Sequence, residues 1–222
     1  MTGTYADLAQ QDLTCFPCLS KGVDSIVYRI GPLVAKEYQR LSIEEVSRYV
    51  SLQNGASDIL RKTPYRATIN LDGAVTELVA DDAVSVDWLG RSRDGKPLTF
   101  SRFVEATNLE KLLWRPEMFE PYAKAELRDP ELLSFAARLN AYFWNEYPTR
   151  GQDEFHYHVC MISRLLDRTL GCEGLYISKY NVKLLPGSQG ARIRLVVTDL
   201  ALYIERVRLA PAVAERSTAD AD

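Results

Sequence analysis

The chain has 222 residues, 27 basic and 30 acidic side chains and 46% hydrophobic residues, enough to bury a core as one domain, of one lobe or two. Its near balance of charge offers no footprint for nucleic acid or an anionic membrane, and no apolar run approaches the length that spans a bilayer. The start MTGTYADLAQQDL is neither basic nor apolar, so no cleaved signal is expected.

Residues 1–18 form a lead-in that carries a C-x-x-C at Cys15 and Cys18. With His156, His158 and Cys160 these thiols could assemble a zinc site; the alternative is free thiols, with Pro17 making a turn. Four cysteines are too few for a disulfide framework in a chain of this length. Reduced thiols suit a cytoplasmic protein, with a non-classically secreted effector as the other setting.

Two short apolar strands around Gly31-Pro32 follow, over 19–38. Gly22 and Ser25 open the first, and the second ends in Leu33-Val34-Ala35-Lys36. A lysine whose strand neighbours are apolar on both faces is expected to meet an anion. Ser42-Ile43-Glu44-Glu45 has the spacing of a capping box and starts a helix of about three turns, with Asn54-Gly55 as its stop. β-Rich runs over 65–71, 75–79, 84–89 and 98–104 read as two hairpins. Helical character takes over at 109–113, 130–147 and 155–170. A late pair of strands, 180–185 and 193–198, flanks the turn at 186–190, and the tail 211–222 is expected to be disordered. Along 135–144 the apolar stripe reads as core, and Arg192 and Arg194 alternate on a solvated strand face. The expected fold class is α+β, with a β-rich part over 19–106, a helical part with a late hairpin over 107–210, and a ligand crevice between them.

Asn181 precedes one late strand and Asp199 follows the other. An amide oxygen and a carboxylate on adjacent strands can together hold a hard cation such as Mg²⁺ and leave its other positions to phosphates.

In this order the lysine strand, the helix, the hairpins, the connection at 103–106 and the late Asn and Asp resemble the protein-kinase-like fold, in a minimal or truncated member such as a pseudokinase or small bacterial effector kinase. The resemblance implies a β-rich N-lobe, a truncated helical C-lobe, and ATP with Mg²⁺ as cofactors. Gly22 and Ser25 would then lie in the loop over the phosphates, Lys36 would contact the phosphates, and Asn181 and Asp199 would hold the metal. Residues 103–106, including Glu105, would form the hinge against the adenine edge. Glu45 would hold Lys36, a role it shares with its capping-box reading, with Glu44 as a second candidate. Tyr176 stands five positions before Asn181, where the family has its catalytic aspartate, and tyrosine is a poor general base at neutral pH. The chain ends 23 residues after Asp199, too soon for the family's activation segment and docking helices. The resemblance thus implies a nucleotide-binding, catalytically impaired protein acting through a protein partner. The alternatives are an active minimal protein kinase or small-molecule phosphotransferase, and an interaction module that binds no nucleotide.

Overall fold

The computed structural model describes residues 4–71, 74–108, 111–145, 150–173, 175, 177, 181–186, 192–200 and 208–209. The expected α+β class is what it contains: two five-stranded sheets with helices packed on them. The first sheet joins β1 (Cys18–Lys21), β2 (Ser25–Ile30), β3 (Leu33–Tyr38), β7 (Pro97–Arg102) and β6 (Val86–Arg91) in that spatial order, every pair antiparallel. Gly31, at φ 58°, makes the tight turn between β2 and β3, in a left-handed conformation that a Cβ disfavours.

Side chains alternate across a strand, and the two faces of this sheet have different tasks. Tyr28, Ile30, Ala35, Leu98 and Phe100 pack with helix α1 (Tyr5–Ala9) and Leu13 in a small core. Val27, Val34, Lys36, Thr99 and Ser101 face the other way, into a cavity. Helix α1, within the stretch read as a lead-in, starts with a Thr4–Asp7 capping box and stacks Tyr5 on Phe100 at 5.5 Å.

The second sheet joins β4 (Tyr65–Leu71), β5 (Ala74–Ala83), β11 (Arg192–Val197), β10 (Val182–Pro186) and β8 (Thr107–Asn108). β5 and β11 run parallel and the other pairs antiparallel, so this sheet draws strands from both sides of residue 106. The two predicted hairpins are present, one in each sheet: β6–β7 in the first and β4–β5 in the second. One large core unites the second sheet with α2 (Ile43–Lys62), α3 (Pro116–Glu126), α4 (Pro130–Asn145) and α5 (Arg150–Leu170) through residues such as Val46, Leu60, Leu139, Ile162 and Leu195. Arg192 pairs with Glu77 and Arg194 with Asp81, so the alternating arginines form ion pairs across the β5–β11 ladder. A small antiparallel pair, β9 (Cys172–Glu173) with β12 (Arg208–Leu209), completes the strands.

Two local expectations are corrected. Helix α2 runs for 20 residues and passes through Asn54-Gly55. The Asn54 amide is engaged with the N–H and C=O of Val86, not with a helix end, and a Cβ on Gly55 would lie 2.8 Å from Leu170 Cδ2. The helix stops at Thr63, the residue before Pro64, where the helical conformation is sterically disfavoured. In the stretch 109–113 the described residues make a 3-10 turn, Lys111–Leu113, and the helix that follows is α3, whose Pro116 and Pro121 disguise its pattern. The turn at 186–190, apart from Pro186, and the tail at 211–222 lie outside the described residues. No helix among the described residues is long and apolar enough to cross a membrane.

Candidate functional site

A cavity of about 520 Å³ opens between the two sheets. Lys36 reaches it from β3, a strand paired on both sides, with Val27 of β2 and Thr99 of β7 as its register partners. Its Nζ donates to Asp199 Oδ2 at 2.6 Å, and the Tyr49 hydroxyl, from α2, donates to Asp199 Oδ1 at 2.5 Å. The ammonium lies 5.1 Å from the Tyr38 ring centroid and 5.0 Å from that of Tyr49, within reach of the negative faces of both rings. Burial opposes the lysine's charge, but the Asp199 carboxylate and Tyr38 outweigh it and hold its pKa above the ordinary value. For Tyr49, burial and then the Asp199 charge push the hydroxyl well above the usual tyrosine range, so at neutral pH it is a donor.

Helix α2 also fixes the backbone around Asp199. Gln53 is buried on the same helical face as Tyr49; its Nε2 donates to Val84 O at 2.7 Å and its Oε1 accepts from Leu200 N at 3.0 Å. Thr198 donates through both N–H and Oγ1 to Asn181 O, which places the Asn181 and Asp199 positions side by side at the end of the β10–β11 ladder.

Lys36, Asn181 and Asp199 therefore line one cavity although they lie far apart in the chain. Other predicted site residues stand elsewhere. The Gly22 N–H donates to Ser25 O at 2.9 Å and closes its own turn; neither residue lines the cavity, which β1 reaches through Leu19 and Ser20. Glu45 completes the Ser42 capping box, accepting from Ser42 N at 2.7 Å, and the carboxylate on Lys36 is that of Asp199. Phe103 and Val104 line the cavity, whereas Glu105 accepts from Arg128 N at 3.0 Å and does not. Residues 103–106 belong to no strand, and Phe103 N–H is used by Pro32 O. Tyr176 lies outside the described residues. All four cysteines are free, and among the described residues no group of three or more His, Cys, Asp or Glu side chains could hold a metal. His158 Nδ1 lies 2.7 Å from the Tyr65 hydroxyl, and neither residue lines the cavity.

Tyr49, Gln53, Lys111 and Lys183 also line the cavity, and the sequence reading gives none of them a site role. A signal existed for the first two: they fall on the same helical face as Val46, Ala56 and Leu60, and a hydroxyl and an amide within an apolar stripe need polar partners. Lys183 sits between Val182 and Leu184 on its strand, whereas Lys36 sits between Ala35 and Glu37.

No protein-family model matches the chain, and no curated protein matches it.

Proposed function

We propose that this chain is a kinase-like nucleotide-binding protein, impaired in phosphoryl transfer, that works by presenting a surface to a protein partner. The observation that carries the reading is the meeting of Lys36, Asn181 and Asp199 on one cavity between the two sheets. A volume of about 520 Å³ is within the range of small-molecule sites. Lys36 would receive phosphate oxygens, and the first sheet and the 103–104 connection would enclose the base and sugar.

Asp199 and Asn181 offer two hard oxygen ligands, which suits Mg²⁺ brought in with phosphates better than a metal held by protein alone. Each carboxylate oxygen of Asp199 keeps a lone pair beyond the one facing Lys36 or Tyr49, so the donor set fits such a cation. Mg²⁺ there would neutralise phosphate charge. Ligand binding would then exchange the Lys36–Asp199 contact for lysine–phosphate and carboxylate–metal contacts.

Impairment rests on Tyr176, since residues 174–180 contain no Asp or Glu to accept the proton of a hydroxyl acceptor. General-base assistance contributes about a hundredfold to ten-thousandfold in rate. A second reading, an interaction module that binds no nucleotide, is favoured by the Gly22 N–H turned into its own loop and by a Lys36 whose charge Asp199 already balances.

A thermal-shift titration with ATP, with and without Mg²⁺, combined with a radiolabelled-ATP transfer assay, separates the readings. A ligand at hundredfold its Kd should raise the Tm of a chain this size by about 5–10 °C. That rise without label transfer is the expected result. Transfer that disappears in Asp199→Asn establishes an active phosphotransferase instead, and no rise favours the interaction module.

A further inference from the structure

The charges lining the cavity do not cancel. Lys36 is paired with Asp199, and Arg102 with Asp82. Lys111 and Lys183 line the same cavity, and among the described residues neither has an ion pair or a hydrogen bond to a carboxylate. Their ammonium groups are held instead by aromatic faces. Lys111 Nζ lies 3.5 Å from the Trp114 ring centroid and 5.5 Å from that of Tyr122, and Lys183 Nζ lies 5.9 Å from the centroid of Phe103. Ring faces stabilise a cation by electrostatic attraction and supply no anion.

Their placement sets them apart from the Lys36 end. Asn181, beside Asp199, immediately precedes β10, and Lys183 lies within it, two positions further along the chain. Lys111 follows β8, whose Asn108 is the register partner of Lys183. Burial lowers the pKa of Lys183, opposed in part by Glu126, which is the behaviour of a cation short of a partner.

On the reading that this cavity is the ligand site, we propose that Lys111 and Lys183 form a second anion subsite, so that the ligand carries two separated anionic groups, as in a nucleoside or sugar bisphosphate. One group meets Lys36 and the other meets Lys111 and Lys183. An uncharged base at the second position would leave both ammonium groups facing the cavity without an anion in it, whereas a phosphate there gains charge-assisted hydrogen bonds.

The test is calorimetric titration of the full chain with adenosine 3′,5′-bisphosphate, AMP and fructose 1,6-bisphosphate, repeated on Lys183→Met and Lys111→Met, with circular dichroism to verify folding. Expected is binding of the adenosine bisphosphate at least about tenfold tighter than AMP, the worth of one added charged contact. Lys183→Met should remove that advantage, costing the bisphosphate about tenfold more in affinity than it costs AMP. Trp114 gives an independent readout, because drawing Lys111 off its ring changes its fluorescence, and Trp114→Phe should silence that change. Equal affinity for AMP and the bisphosphate overturns the second subsite and leaves the nucleotide reading standing. Binding of the sugar bisphosphate, sensitive to Lys183→Met, without binding of either nucleotide upholds the subsite and overturns the nucleotide reading. Absence of binding by all three overturns both.

Discussion

Lys36 and Asp199, 163 positions apart, form a 2.6 Å ion pair that links the central strand of one sheet to the strand end of the other. The pair spans the cavity, and Tyr49 secures its second carboxylate oxygen. Because both partners are part-exposed, its worth to folding is modest, while on the proposed reading its position across the cavity makes it the contact that a bound ligand would rearrange.

Tyr49→Phe removes the donor to Asp199 Oδ1 without changing the packing of a buried ring. A hydrogen bond to a charged group contributes about 1.5–3 kcal/mol. Urea unfolding should show a loss of that size or somewhat smaller, given partial access of water to Asp199.

Gln53→Leu orphans two backbone groups at once, Val84 O and Leu200 N. Each unsatisfied buried group costs about 1–3 kcal/mol, so this variant should be more destabilised than Tyr49→Phe in the same unfolding experiment. On the proposed reading it should also weaken nucleotide binding, since Leu200 follows Asp199 directly.

The pH dependence of the Lys36–Asp199 pair has a defined sign. The folded pKa of Lys36 is raised, so its contribution is fully present below the unfolded value of 10.5 and is lost as pH rises through the folded value. The stability difference between the natural chain and Lys36→Met should therefore be flat from neutral pH to about 10 and shrink only beyond it. A difference that already shrinks around neutrality would contradict the assignment.

Lys183 has the opposite sign. Burial lowers its pKa, so the folded protein carries this charge at a cost, and stability should rise as pH climbs from the lowered value to 10.5. Lys183→Met should raise the Tm of the unliganded protein, by about 2–4 °C per kcal/mol of desolvation relieved. A lower Tm in this variant would show that the lysine is compensated without a ligand.

The sequence made some of this legible and not the rest. Lys36 stands out because a lone cation follows the apolar run Leu33-Val34-Ala35, and Asn181 and Asp199 because they flank strands that end together. The parallel pairing of β5 with β11 was not legible, since a period-two pattern reports which face is buried and says nothing about which strand lies alongside. Glu45 could not be resolved from sequence because one spacing serves two purposes, capping its own helix or reaching a distant lysine. Tyr49, one helical turn further on, is the side chain that meets Asp199. Asn54-Gly55 reads as a helix stop by residue type, yet both residues are committed to tertiary contacts with Val86 and Leu170.

The most direct measurement of the central claim is calorimetric titration of MgATP into the full chain, Lys36→Met and Asp199→Asn, each verified as folded by circular dichroism. The account predicts saturable binding in the natural chain, a loss of tenfold or more in affinity for Lys36→Met, and binding that no longer responds to Mg²⁺ in Asp199→Asn. Three identical isotherms, or no binding in the natural chain, would contradict it.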